Sequence, residues 1–226
     1  MSTLCLRKAG KNKRPGNLTA CYLLAHGYYL FVSSISFHLM TLKTRWIDLL
    51  YRMATGSRGT RNLFTPIGAI FFGLVVFLFV VAARHVDQWM GMIDVLPGCL
   101  PIMLSLPLFC IAFLMIGWSV HHFLKAKGTP VPINPPPRLV NSGPYVYSRN
   151  PMLTGVFALL FGIGVLLESV SLLFIFTPLF IMINVWELKA IEEPELLKRL
   201  GREYVEYRKT TPMFFPKIRM KQNRKR

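Results

Sequence analysis

The stretch "FTPIGAIFFGLVVFLFVVAA", Phe64 to Ala83, contains no charged residue. An α-helix of this length rises far enough to cross the roughly 30 Å of bilayer hydrocarbon. The stretch therefore predicts a transmembrane helix. Working outward, a second uncharged tract runs from Val95 to Leu124, broken near its start by Pro97 and Pro101. Met152 to Leu167 and Ser169 to Trp186 form a third and a fourth, separated only by Glu168. Two apolar helices joined so tightly run antiparallel, which predicts a membrane hairpin. Pro178 is expected to kink its second arm, as lipid allows where neighbouring helices re-satisfy the backbone.

Composition agrees with this reading. Of 226 residues, 53% are hydrophobic and 16% charged, with a mean hydropathy of +0.42. That balance suits a membrane bundle and not a soluble domain. The net charge of +17 gathers at both termini and in two loops. Anionic lipid headgroups fit such a distribution, and no nucleic-acid-binding fold survives the hydropathy pattern. Cys5, Cys21, Cys99 and Cys110 lack the pair spacing of a metal site or a disulfide framework. His121-His122 closes an apolar run at headgroup level, which predicts interfacial anchoring and no metal site. No obligate protein partner is evident.

Lysine and arginine set the orientation. Residues 41–61, loop 125–150 and the tail after Trp186 are rich in them, whereas Arg84 to Gly98 holds one arginine and two aspartates. Four spans with both ends cytoplasmic satisfy this bias. Leu18 to Leu42 is also uncharged but carries His26, His38 and several serines. As a fifth span it would place the basic N-terminus outside; lying in the interface, it would not. The expected architecture is an all-α polytopic transmembrane helix bundle of four or five spans, with a C-terminal hairpin and a cytoplasmic amphipathic tail helix. Residues 1–62 are expected to form a basic extension and 63–226 the functional domain. The membrane is a bacterial plasma membrane or the endoplasmic reticulum.

"GTPVPINPPPRL", Gly128 to Leu139, reads as a stiff connector, because its prolines remove donors and favour extended backbone. It leads into "VNSGPYVYSRNPMLTGV", Val140 to Val156. After the hairpin, "IEEPELLKRLGREYVEYR" predicts one amphipathic helix, with Pro194 in its first turn. Four-residue spacing predicts the pairs Glu195–Arg199 and Arg199–Glu203. The hairpin brings Arg149-Asn150-Pro151 and Glu192-Glu193 to the same bilayer face. An arginine, an amide and two adjacent carboxylates there suggest a polar pocket, since paired carboxylates near low dielectric need a cationic or hydrogen-bonding partner. The plainer alternative is that the glutamates favour the next helix's N-terminus and Arg149 snorkels to phosphate.

"LVNSGPYVYSRNPMLTG", followed after the hairpin by "EEPELLKRLGREYVEYRKTTPMFFP", resembles the integral-membrane methyltransferases, the relatives of isoprenylcysteine carboxyl methyltransferase and phosphatidylethanolamine N-methyltransferase. The likeness runs over roughly Gly128 to Pro216, and residues 1–60 have no part in it. Its ordered combination of Gly-Pro-Tyr, Arg-Asn-Pro, Glu-Glu and a closing double-tyrosine stretch is specific. The resemblance implies methyl transfer from S-adenosylmethionine to a lipophilic acceptor at the cytoplasmic face: a prenylcysteine carboxylate, a phospholipid amine or an isoprenoid-like molecule. It carries the cofactor-binding role onto Gly143, Pro144, Tyr145, Arg149, Asn150, Pro151, Gly155, Glu192 and Glu193, and names no catalytic residue. Carboxylates suit ribose hydroxyls or an ammonium, aromatic faces suit a sulfonium, and Arg149 suits a carboxylate or phosphate. Gly155 would let its helix approach another helix or the cofactor. Leu153 stands where the family has a tyrosine, Ser148 where valine is common, and Leu200-Gly201 where the family has Phe-Gly. Asn150 in place of histidine leans towards the amine-methylating and prokaryotic-type relatives. Two rivals remain: an NADPH-dependent sterol- or steroid-type membrane reductase, and a lipid-binding relative without chemistry.

Overall fold

The computed structural model describes residues 15–56, 58–92, 96–129, 134–136 and 138–214. The basic residues of 1–14 and 215–226, Asp94, and much of the proline-rich connector lie outside them. The described residues are helical, with no strand among them. Helix α1 is Pro15–Thr55, α2 Arg58–Trp89, α3 Leu100–Lys125 and α4 Pro151–Leu166. A second arm follows: a π-helical turn Leu172–Phe176, α5 Thr177–Glu187, a second π-helical turn Leu188–Glu192, then α6 Glu193–Leu200 and α7 Arg202–Thr210. The division between two compact units falls between Trp46 and Ile47. Leu18–Leu42 lies inside α1 and is helical throughout.

Among the described residues, three helices are long and apolar enough to cross a membrane: Leu63–Trp89, Leu100–Lys125 and the continuous run Leu172–Leu200. Their large apolar side chains face outward; Ile70, Phe71, Phe77, Ile102, Met103, Phe113, Leu114 and Phe174 are all exposed. A surface so apolar is untenable in water and natural in lipid. This is an integral membrane protein. Helix α4, expected as a span in its own right, has 16 residues. Its length of about 24 Å is shorter than the hydrocarbon core.

The main neighbour of α4 is α3. That interface is made of small residues: Ala112, Ser105 and Ser119 of α3 and Gly155 and Gly162 of α4 are all buried. Without a hydrophobic drive between helices in lipid, such residues allow close backbone packing. A Cβ on Gly155 would come within 2.8 Å of Ile116 Cγ1 and 3.0 Å of the Ala112 carbonyl oxygen. The core beside it is Ala83, Val156, Phe157, Leu160, Leu172 and Phe180. Phe180 is its hub, meeting Phe79, Phe72 and Phe157 edge-on at centroid distances of 5.3, 6.1 and 6.2 Å.

The hairpin turn is held by α2. Asp87 lies within that helix, although the sequence suggested a loop from Arg84. Its carboxylate accepts from the Ser169 hydroxyl and, at 2.9 Å, from the Ser171 N–H. The Arg84 guanidinium donates to the Leu167 carbonyl at 2.8 Å. Glu168 takes φ +52 at the turn and accepts from the Leu96 N–H at 2.7 Å. Two details of the second arm also differ from expectation. Each of its π-helical turns ends immediately before an X-Pro pair, Thr177-Pro178 and Glu193-Pro194. A proline ring clashes with the carbonyl four residues back, and a widened turn relieves that clash. The tail is two helices and not one, broken at Gly201 with φ +59. Arg199 therefore keeps its pair with Glu195, at 2.9 Å, but not the one with Glu203; its Nη1 donates to the Pro136 carbonyl at 3.0 Å.

Candidate functional site

The end of α4 nearest its proline, the tail helices and the segment after α7 converge. The backbone N–H groups of Arg149 and Asn150 donate to the carbonyls of Pro212 and Met213, at 2.9 and 3.1 Å. The Ser148 hydroxyl and the Asn150 amide also donate to the Met213 carbonyl, at 3.0 and 3.3 Å. Phe214 packs on Phe157, with centroids 5.5 Å apart. The segment Thr211–Phe214 thus fixes the backbone from which Arg149 projects.

Arg149 Nη1 donates to Glu193 Oε1 at 2.6 Å and to the Tyr204 hydroxyl at 3.0 Å. Both charged side chains are nearly buried, at 12% and 14% exposure. Arg208 reaches the other Glu193 oxygen at 3.2 Å. Arg149 Nε is buried with no partner. The Tyr207 hydroxyl donates to the Tyr145 carbonyl at 2.7 Å. Burial raises the phenols of Tyr145, Tyr204 and Tyr207 above the ordinary tyrosine range, so they stay protonated at neutral pH.

These groups surround a cavity with about 930 Å³ of empty space, its mouth included. Tyr145, Arg149, Asn150, Glu192 and Glu193 line it, joined by Glu187, Glu195, Arg138, Arg199, Tyr204 and Tyr207. Phe123, Val140, Leu188, Leu196 and Leu200 supply apolar wall. Glu193 and Glu195 are committed to arginines, whereas no ion pair or hydrogen bond engages Glu187 or Glu192 among the described residues. In a regular α-helix, positions five apart point about 140° away from one another. The second π-helical turn, closed by the Glu193 N–H on the Leu188 carbonyl, narrows that angle and lets Glu187 and Glu192 face one cavity.

Residues 100–203 match the model of a family described as phospholipid methyltransferase. That stretch belongs to the phospholipid methyltransferase family. Neither the curated proteins nor the solved structures gave a match. The methyltransferase domain runs from the start of α3 to the first turn of α7 and so contains every candidate cofactor residue. Together with the apolar helices, that match supports a membrane methyltransferase kind.

Within the domain, the nine candidate residues divide by position. The five named above line the cavity, and the other four do not. Gly143 has φ +60, and a Cβ there would come within 2.2 Å of His122 Nε2, so only glycine fits beneath that imidazole. His122 Nδ1 in turn lies 3.0 Å from the Trp118 carbonyl and donates to it in the tautomer protonated there. Pro144 is buried in the 3₁₀ turn Gly143–Val146, and Pro151 opens α4. Gly155 serves the contact with α3 and not the cavity. Glu187, Tyr204 and Arg138 were not singled out from sequence. A double-tyrosine spacing in the tail could have flagged Tyr204, but helical periodicity places Glu187 away from Glu192.

Proposed function

We propose that this chain transfers a methyl group from S-adenosylmethionine to a lipophilic acceptor at the cytoplasmic membrane face, and that the acceptor group is a phospholipid amine. The observation that carries the reading is the cavity, in which Arg149, Glu193 and Tyr204 are joined across the hairpin beside two unpaired carboxylates. The residues fit such a cofactor. The orphaned Arg149 Nε calls for an anionic acceptor such as the methionine carboxylate. Glu192 offers free lone pairs to ribose hydroxyls or the ammonium, and the tyrosine rings favour a cationic centre. When bound, the cofactor supplies an electrophilic methyl carried on a sulfonium.

The protein's part is then to align the acceptor and exclude water. A lipid ammonium must lose a proton before its nitrogen attacks. Glu193 is occupied by Arg149 and Arg208, so Glu187 is the carboxylate free to hold the ammonium and accept that proton.

Calorimetry on detergent-purified protein tests the cofactor, and transfer of labelled methyl groups to lipid extracts tests the acceptor. We expect saturable S-adenosylmethionine binding and label in the phospholipid amine fraction. Absence of binding by folded protein supplied with lipid removes the cofactor reading. Label confined to prenylcysteine analogues removes the amine.

A further inference from the structure

The last turns of α1, Ile47 to Thr55, lie outside the matched residues 100–203. Leu50 nevertheless lines the cavity alongside Leu196, Leu200 and Tyr204. Lys198 of α6 fastens this stretch at two points. Its Nζ lies 2.7 Å from Asp48 Oδ1 and 4.7 Å from the centroid of the Tyr51 ring. Asp48 and Tyr51, three residues apart on a helix, share a face, which is why one ammonium meets both. The fastening is more exposed than the two central ion pairs of the site. Arg149–Glu193 and Arg199–Glu195 are shielded, with side-chain exposures of 14% or less, whereas Lys198 and Asp48 are 46% and 54% exposed. Exposed ion pairs and exposed cation–π contacts are weak and reversible. The polar contacts that fasten this apolar wall of the cavity are therefore ones that water can replace.

We propose that the end of α1 is a latched flap of the methyl-transfer site: fastened to Lys198, it closes the cavity with Leu50; released, it opens that side to the cofactor. The assignment of the ligand rests on the cofactor reading above, whereas the latch does not. Closing the flap excludes water from a site whose chemistry needs it dry, and a weak latch keeps exchange fast.

Maleimide labelling of full-length Leu50→Cys protein tests this, with Arg52→Cys as the exposed control. Peptide mass mapping reads each position separately from the native cysteines. We expect position 50 to label at least tenfold more slowly than position 52. Lys198→Ala should accelerate position 50 several-fold, and the exchange Asp48→Lys with Lys198→Asp should restore slow labelling. Saturating S-adenosylmethionine should slow position 50 further when the latch is intact. Equal labelling at 50 and 52, or a position-50 rate indifferent to Lys198→Ala, overturns the flap. Latch-dependent labelling without protection by S-adenosylmethionine overturns the cofactor reading and leaves the flap standing.

Discussion

Adjacent in sequence, Glu192 and Glu193 have opposite circumstances. Glu193 is nearly buried between Arg149 and Arg208, and Glu192 faces the cavity with no ion pair. Removing one member of a buried pair leaves the other charge uncompensated, at a cost of about 3–5 kcal/mol. We predict that Glu193→Ala lowers thermal stability along with S-adenosylmethionine affinity. Glu192→Gln should weaken that affinity at least tenfold at unchanged melting temperature, as paired calorimetry and thermal unfolding would register. A double alanine variant confounds the two effects. Tyr207 allows a pH test. Burial raises its phenol, so the folded state holds a proton that unfolded tyrosine gives up near pH 10. The stability this contributes is complete below pH 10 and is lost as pH rises towards the folded value. Tyr207→Phe should cost about 1 kcal/mol at pH 8 by losing the bond to the Tyr145 carbonyl, and should make the alkaline decline shallower. An equally steep decline in chemical-denaturation curves from pH 9 to 11 contradicts the assignment.

At the scale of the helix, Pro194 matters more than its place in a first turn suggests. The π-helical turn before it sets the rotation that lets Glu187 and Glu192 share one cavity. Pro194→Ala restores an N–H and removes the ring clash, so the turn can relax to regular helix. We predict retained or increased helicity by circular dichroism with at least tenfold weaker S-adenosylmethionine binding; undiminished binding would mean that the turn does not depend on the proline. The same feature marks how far the sequence could be read. Uncharged runs fix the helices because burial in lipid leaves the backbone no other choice, and the tight hairpin by itself places Arg149 near Glu193. Side-chain rotation is different. An irregular turn shifts every later position, so helical periodicity missed Glu187, and it ran one helix through Gly201 where the backbone turns. Leu50 escaped notice for another reason: the motifs lie within 128–216, and nothing in α1 signals a long-range contact with α6.

Over the whole molecule, polar groups gather at the two ends of the hairpin and do different work. The candidate site's cavity sits where α4 begins and the second arm ends. At the turn between the arms, Asp87 is 3% exposed and accepts from Ser169 and Ser171, tying α2 to the start of the second arm, while Arg84 covers the Leu167 carbonyl. No described ionisable side chain other than Asp87 engages those two donors, and the core around Phe180 separates this knot from Arg149 along α4. Asp87→Ala strands a buried hydroxyl and a buried helix N–H, each costing about 1–3 kcal/mol. The variant should therefore unfold at markedly lower temperature or denaturant concentration. S-adenosylmethionine affinity per folded molecule should stay within about twofold, because contributions from distant sites with no shared partners add independently. Asp87→Asn keeps one acceptor and should lie between the two in stability. If binding collapses in Asp87→Ala while the melting temperature holds, the two ends are coupled through the second arm, and the division between a structural end and a chemical end fails.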